Sequence, residues 1–416
     1  MKQGSIGCLR VAALLISASY GIGFLFGSGE LALRIGMAGS LYAVATALGM
    51  TVLAFIAPRL WRDGRAIWDV LGEAFGPAVH RSVALLSFVW MTGVLAAQIQ
   101  GGVAVLGLLG APGPIAYSAM LALVVLASGI ELKWASTAFA CLLVGSNLVL
   151  FDVIFRAGSV GLYLHAPLIF AHDIRQLPPA DTLTTVLAVG FLVVTGADYQ
   201  QFIFVARRSV DAWFGCLLAA SFLLLTGFAP AAAVIATGVV PGSFRTVDAK
   251  AIVPLILTHA ATPLGAIAQA SVLLVLLGAA LGSGSAITRA MTAALMSQLN
   301  GSAFRLSTGR RLIFTTSTGL LAALIAMRGQ AIVDTMVALN IVYIASVGVM
   351  LIRHALGFHT TRSQAQTTMA VGFLVALLMY VVSSTLTPLP AYAPLIAGLG
   401  VSCLVAAFAG LARRCV

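Results

Sequence analysis

Charged residues are scarce in this chain. Of its 416 residues, 8% are Asp, Glu, Lys or Arg, and the acids number only 12. Soluble globular domains carry about 25% charged residues, so the composition excludes a protein whose surface mostly faces water. Hydrophobic residues make up 61% of the chain, and the mean hydropathy is +1.07. The composition therefore predicts a polytopic α-helical membrane protein.

Cysteine and histidine are too few and too scattered to build a metal or disulfide framework. The five cysteines show no CxxC spacing, and the six histidines fall in or beside predicted loops. Structural zinc sites need paired ligands at short spacings. The sequence also lacks a Walker loop, an HExxH motif and a nucleophile–His–acid arrangement. We therefore expect no cofactor, no resident metal and no enzymatic activity.

Long apolar runs dominate the chain instead. A membrane-spanning helix needs about 20 largely apolar residues, and we number the twelve predicted helices α1 to α12. They cover 9–34, 37–57, 81–109, 114–130, 134–157, 182–205, 210–238, 263–298, 311–328, 331–354, 366–386 and 391–412. Because the connections are short, we expect residues 1–416 to form a single transmembrane domain. The first run continues to Leu33, so we interpret it as a span rather than a signal peptide.

The net charge of +11 is explained by the orientation of the helices in the membrane rather than by a nucleic-acid partner. With the N-terminus inside, the 23 Lys and Arg residues divide into 16 at cytoplasmic edges, 6 outside and 1 within a helix. This asymmetry is typical of the positive-inside rule. We therefore expect a multi-pass protein of the plasma (bacterial inner) membrane with both termini in the cytoplasm. The amphipathic stretch 65–76 is expected to lie along the inner surface.

Two predicted helices are interrupted at matching places. α1 carries four glycines between positions 21 and 29, and α6 is interrupted at 196–198. Each is followed by an ordinary helix and then by a long one. Because five helices is an odd number, the second set enters the membrane from the opposite side. The pattern predicts an inverted repeat of 9–157 and 182–354 with two additional helices in 366–412, and broken helices in matching positions are typical of transporter binding sites.

An acid accompanies each interruption. Glu30 follows the glycines of α1, and Asp198 lies within the break of α6. A carboxylate in hydrocarbon costs about 2.5–3.5 kcal/mol on insertion scales, which makes both a functional hypothesis. Simpler alternatives remain open. Gly23 and Gly27 have the spacing of close helix packing, Glu30 could pair with Arg34 one turn on, and Asp198 could cap the half-helix that follows.

Three stretches resemble the sodium:solute symporter family of the amino acid–polyamine–organocation superfamily. They are RIGMAGSLYAVATALGMTVLAFIAPRLWRDGRAIWDVLGEAFG (34–76), GADYQQFIFVARRSVDAWFG (196–215) and VLLGAALGSGSAITRAMTAAL (275–295). The resemblance extends from residue 9 to about residue 385. It implies the leucine-transporter fold: an all-α integral membrane protein of about 12 transmembrane helices, in a 5+5 inverted repeat with α1 and α6 broken, plus two C-terminal helices.

The resemblance also implies function. It implies symport of a small organic solute by alternating access, coupled to Na⁺ or H⁺, and the acids favour an amino-acid-like solute. From the residues and the resemblance together, we expect substrate contacts at Gly27, Glu30, Asp198, Tyr199 and Gln201. We expect the coupling ion at Phe26, Gly29, Glu30, Asp198, Ser283 and Ser285.

The chain departs from the family pattern at its cation ligands. The family's paired sodium-ligating serines would fall at Leu281 and Gly282, and the acid that some members carry on α5 is replaced by Thr137. The resemblance to the family therefore favours Na⁺ as the coupling ion, whereas the acids Glu30 and Asp198 favour H⁺. A membrane receptor or assembly partner that keeps the fold without transporting is the alternative function.

Overall fold

The structure is a computed structural model that describes residue 4 and residues 6–238, 248–299, 308–329, 331–385, 389–390 and 392–411. In this described part, seven helical spans are long and apolar enough to cross a membrane, and five further apolar helices are shorter. Each of the twelve predicted spans is recovered as helix, so the all-α membrane class is confirmed. The last predicted residue of α12, at position 412, lies outside the described residues.

The helices have the following bounds. α1 consists of α1a, Cys8–Ser19, and α1b, Ser28–Ile35; α6 consists of α6a, Pro179–Thr195, and α6b, Ala197–Phe204. The others are α2 Leu41–Asp63, α3 Pro77–Leu108, α4 Gly113–Ser128, α5 Leu132–Arg156, α7 Ser209–Thr226 with Ala229–Ala236, α8 Ala266–Leu299, α9 Thr308–Ala326, α10 Ile332–Ala355, α11 Arg362–Thr385 and α12 Ala393–Leu411. We call the end of the bundle where α1a begins the inner end, and the opposite end the outer end, as the charge pattern predicts.

Short helices close the two ends of the bundle. At the inner end, Ile67–Phe75 buries Ile67, Trp68, Leu71 and Phe75, the apolar face that its amphipathic pattern predicts. At the outer end, Ala166–Asp173 follows α5, and Ile252–Ala261 precedes α8. α7 is divided near its end, where Pro230 has no N–H to bond to the preceding turn.

The long helix α3 organises one group of helices. It packs against α4, α8, α9 and α10. A second group forms around α2, which packs against α6a and α7, while α1a packs against α7. α1a and α6b also contact α8. The two broken helices therefore lie where the groups meet. The boundaries of the inverted repeat, 9–157 and 182–354, stay a prediction.

The connection between α1b and α2 depends on a backbone contact that only glycine allows. It is a 3₁₀ helix, Gly36–Ser40, folded back against α1b. A Cβ on Gly39 would lie 2.5 Å from the amide nitrogen of Ala32 and 2.8 Å from the carbonyl oxygen of Ser28. Because these backbone atoms cannot move away as easily as the end of a side chain, only glycine fits at position 39.

We expect Gly39→Ala to destabilise the fold by about 1–3 kcal/mol, because overpacking against backbone forces a shift of one helix. The measurement is thermal unfolding of the purified protein in detergent. Gly107→Ala is the matched control, since a Cβ there meets nothing within 4 Å. If both variants unfold at the wild-type temperature, the packing account of this connection is wrong.

Candidate functional site

The break in α1 is held by side chains from two other helices. α1a ends at Ser19, and a π-helical turn, Gly23–Gly27, leads into α1b. Between them, the Ile22 amide donates a hydrogen bond to Oε1 of Gln98 on α3 (2.9 Å). A Cβ on Gly21 would lie 2.6 Å from that oxygen and 2.9 Å from Oγ of Ser283 on α8. Interrupted backbone at membrane depth needs such partners. Gln98 belongs to no motif and lies 76 residues from Ile22, so the sequence pattern does not predict this contact.

Tyr20 connects the same break to α5. Its hydroxyl donates a hydrogen bond to Oδ1 of Asn147 (2.9 Å), and both residues are buried. Its ring lies against Phe24, with 4.6 Å between the ring centroids. Polar groups from α3, α5 and α8 thus converge on the three residues that follow α1a.

The break in α6 is held by two glutamines. Gly196 is extended, and Nε2 of Gln200 donates a hydrogen bond to the carbonyl of Val194 across the break (3.0 Å). Nε2 of Gln201 donates to the carbonyl of Asp198 (2.8 Å) and to that of Ala286 on α8 (3.0 Å). Gln201, a predicted substrate contact, therefore joins α6b to α8.

Asp198 is a fully buried acid beside this break. Only 1% of its surface is exposed, and its Oδ1 has no hydrogen-bond partner among the residues that the structure describes. The phenols of Tyr42 on α2 and of Tyr199 are close enough to interact with the carboxylate electrostatically. The carboxylate interacts with the amides of Asp198 and Tyr199 in the first turn of α6b, but the N-cap residue of this helix is Gly196 rather than Asp198. A buried acid with one oxygen unpartnered favours a proton or a cation.

Glu30 has a different environment. It is 5% exposed, and its Oε2 accepts a hydrogen bond from the Ile332 amide (3.2 Å) in the first turn of α10. Its Oε1 lies 3.7 Å from Nη2 of Arg34, the ion pair that the sequence left open. Lys250 and Asp248 are its other charged neighbours. None of these partners is shared with Asp198, so the structure does not bring the two acids into one cluster.

The glycines of α1b provide room for neighbouring helices. A Cβ on Gly27 would lie 2.7 Å from Cγ2 of Val333 on α10, and one on Gly29 would meet Val253 of the outer-end helix. Phe26, between them, is fully buried. A Cβ on Gly23 would meet Sδ of Met336 on α10. Close packing therefore accounts for Gly23 and Gly27, the pair that the packing alternative names, and also for Gly29, whereas the backbone interruption lies at Tyr20 and Gly21.

The two serines of α8 point in different directions. Ser283 faces the break at Gly21. Oγ of Ser285 instead donates to the carbonyl of Gly282 (3.1 Å) and accepts from Nη2 of Arg289 (3.1 Å). Nη1 of Arg289 also donates to the carbonyl of Ile130 (3.2 Å), just beyond α4. A guanidinium beside Ser285 disfavours a second cation there, so Ser283 is the better placed of the two as a cation ligand.

Comparison with known proteins shows the fold. No family model and no curated protein matches the chain. A Na⁺-coupled sialic acid symporter in a substrate-bound outward-open state matches with a TM-score of 0.73 at 13% identity, over 97% of this chain and 89% of that one. Mhp1, a nucleobase-cation-symport-1 family transporter with bromovinylhydantoin bound, matches with a TM-score of 0.61 at 15% identity, over 99% and 94%. A manganese transporter from Eremococcus coleocola matches with a TM-score of 0.60 at 14% identity, over 98% and 94%.

These likenesses confirm the leucine-transporter fold that the sequence resemblance implied. The matches extend over 97–99% of this chain, so they include the segments of both broken helices and of the C-terminal pair. Membership of the sodium:solute symporter family itself stays a prediction.

We expect Gln98→Ala to destabilise the protein by about 1–3 kcal/mol, because the Ile22 amide would be left buried without an acceptor. Thermal unfolding in detergent measures the loss. Gln176→Ala is the matched control, since Gln176 is exposed. An unfolding temperature unchanged by Gln98→Ala would show that the α1 break does not depend on this bond.

We expect Glu30→Ala to open the outer end, because α1b would lose its hydrogen bond to α10. The measurement is the reaction rate of a cysteine introduced at buried Val333 with a charged thiol reagent. Loss of a bond to a charged group is worth about 1.5–3 kcal/mol, so the rate should rise at least tenfold. Glu30→Gln, whose amide oxygen can still accept from Ile332, should raise it less. Equal rates in all three backgrounds would contradict this account.

Proposed function

We propose that this chain is a cation-coupled secondary transporter, rather than an enzyme, that moves a small organic solute across the plasma membrane by alternating access. The observation that carries the proposal is the buried carboxylate of Asp198 at the α6 break, with one oxygen unpartnered. Charged residues inside a bilayer commonly mark ion or substrate pathways. An unsatisfied acid at a helix break, on a half-helix that contacts α1a, suits reversible binding of a cationic group.

Asp198 and Tyr199 form the centre of the proposed site. The carboxylate takes the coupling proton or the ammonium group of an amino-acid-like solute, and the Tyr199 ring lies beside it. Gln201 acts indirectly, since both hydrogen bonds of its amide nitrogen fix α6b on α8. Phe26, Gly27, Gly29 and Glu30 belong to the outer half of the pathway, where α1b packs against α10.

Two coupling ions remain in competition. Ser283 beside the interrupted backbone at Gly21 supports Na⁺, because hydroxyl and carbonyl oxygens are hard ligands. Asp198 supports H⁺, because it is enclosed by phenols and by the backbone of α6b. Either ion would act as a co-transported species and not as a bound cofactor.

The bonds at the two ends support alternating access. At the outer end, Glu30 holds α1b to α10. At the inner end, the backbone of Ile6 pairs with residues 205 and 207, and the indole of Trp61 on α2 donates to the carbonyl of Ala206 (2.8 Å). Each end is thus closed by a few hydrogen bonds, each worth about 0.5–1.5 kcal/mol or, with a charged partner, up to about 3. Differences of a few kcal/mol let a ligand shift such a conformational equilibrium.

The test is uptake into proteoliposomes containing the purified protein. A panel of amino acids, nucleobases and sugars would be offered under an imposed Na⁺ gradient and, separately, under an imposed pH gradient. We expect one gradient to drive accumulation of at least one solute. Asp198→Asn should abolish it, whereas Asp152→Asn, at a half-exposed ion pair with Arg156, should leave it intact.

The outcomes separate the competing accounts. Accumulation driven by Na⁺ would place the coupling ion near Ser283 despite Leu281 and Gly282. Accumulation driven only by the pH gradient would assign coupling to Asp198. Full activity of Asp198→Asn would overturn the role of this acid. Absence of gradient-driven accumulation across the panel would favour the non-transporting receptor.

A further inference from the structure

A groove separates α3 from α11 in the inner half of the bundle. Both helices pack along α10 but contact each other little, and a cavity of about 350 Å³ lies between them. Its walls are apolar and include Leu85 and Leu86 on α3 and Met369 and Phe373 on α11. Ser346 of α10 also lines it, but its hydroxyl already donates to the carbonyl of Met369 (2.9 Å). This cavity, which we call the α3–α11 groove, therefore suits an apolar chain.

The depth of the groove corresponds to one leaflet of the bilayer. α3 begins at Pro77 and α11 at Arg362, both at the inner end, and the lining residues of these helices fall within about their first three turns. Three turns rise about 16 Å, roughly half of the hydrocarbon thickness of about 30 Å. Leu85 is 60% exposed, so the groove is open on the side that faces lipid. An acyl chain of the inner leaflet can enter it from there.

Two arginines stand at the inner mouth of the groove. Arg81 precedes Leu85 by one helical turn, and Arg362 precedes Gln366, another lining residue, by one turn. Residues four apart lie on the same side of a helix. Arg362 also reaches toward the beginning of α3, since a Cβ on Gly76 would lie 3.2 Å from its Cδ and 3.3 Å from its Nε. The mouth thus carries positive charge from both walls.

The charge of these arginines is not neutralised by a nearby acid. Within the described part of the chain, neither Arg81 nor Arg362 forms an ion pair. The two acids of the adjacent helix Ile67–Phe75 are paired elsewhere, one with His80 and the other with Arg65. Both arginines are exposed. They are therefore available to an anion outside the protein.

We propose that the α3–α11 groove binds an anionic phospholipid of the inner leaflet. Its acyl chain lies along Leu85, Leu86 and Phe373, and its phosphate lies between Arg81 and Arg362. Basic pockets between transmembrane helices at the cytoplasmic side bind anionic head groups. A zwitterionic head group fits less well, because the arginines repel its ammonium. The inference does not depend on the transport function, since the groove shares no residue with the proposed solute site.

Competition between two lipids tests the inference. Purified, delipidated protein is mixed with equal amounts of phosphatidylglycerol and phosphatidylethanolamine that carry identical acyl chains, and the retained lipid is counted by native mass spectrometry. The two lipids differ in head-group charge, anionic against zwitterionic. We expect wild-type protein to retain phosphatidylglycerol at least tenfold more, because each of two basic residues contributes about fivefold in affinity.

Variants assign the preference to the groove. Changing Arg81→Gln and Arg362→Gln together should bring the ratio of the two lipids close to one. Arg59→Gln, at an exposed arginine near the inner end of α2, is the matched control and should keep the preference. Ala370→Trp should displace the lipid while both arginines remain, because Ala370 lines the groove. Leu374→Trp, at an exposed position that does not line it, is the second control, and thermal unfolding checks that each variant is folded.

Each outcome decides the inference. Equal retention of the two lipids by wild type would mean that the groove holds only bulk lipid. A preference that survives the loss of both arginines, or the filling of the groove in Ala370→Trp, would place the anionic lipid elsewhere on the protein. A wild-type dimer that dissociates in Ala370→Trp would mean that a second copy of the chain covers the groove. Any of these results overturns the proposal.

Discussion

The hydrocarbon interior of a bilayer offers no water to an interrupted backbone, and the centre of this molecule is arranged around that constraint. Each break in a helix releases amide and carbonyl groups that must bond elsewhere. Gln98 supplies the acceptor for the Ile22 amide, and Gln200 supplies a donor for the Val194 carbonyl. These partners come from α3 and from α6b itself, so the breaks persist only while the surrounding helices keep their places.

The same constraint separates the two acids by function. Glu30 is satisfied: it accepts from the first turn of α10 and pairs with Arg34. Asp198 is not, because one of its oxygens has no partner within the described part of the chain, and the phenols of Tyr42 and Tyr199 are near it. A satisfied acid stabilises one arrangement of helices, whereas an unsatisfied acid responds to whatever ion or solute reaches it. In the proposed mechanism, Glu30 is therefore a contact that closes the outer end, and Asp198 is the group that binds the ion or solute.

Composition, charge and hydropathy predicted the membrane class, the twelve helices and both interruptions, because each depends on the residues of one segment. The long apolar runs have no stable alternative to a helix in lipid, and Gly21 and Gly196 mark the breaks. The sequence also showed that an acid lies beside each break. The contacts of those acids could not be predicted, because Ile332 lies 302 residues from Glu30 in the sequence.

Tertiary structure decided which polar residues meet. The sequence offered Ser283 and Ser285 as equivalent, but helix packing turns Ser283 toward the α1 break and Ser285 toward Arg289. Gln98 lies in an ordinary helix, and only the packing of α3 against the rest of the bundle brings it to the α1 break. The sequence by itself determined which segments enter the membrane, because hydrophobicity is a local property. The identity of the site depended on the fold, because a site is made of contacts between distant residues.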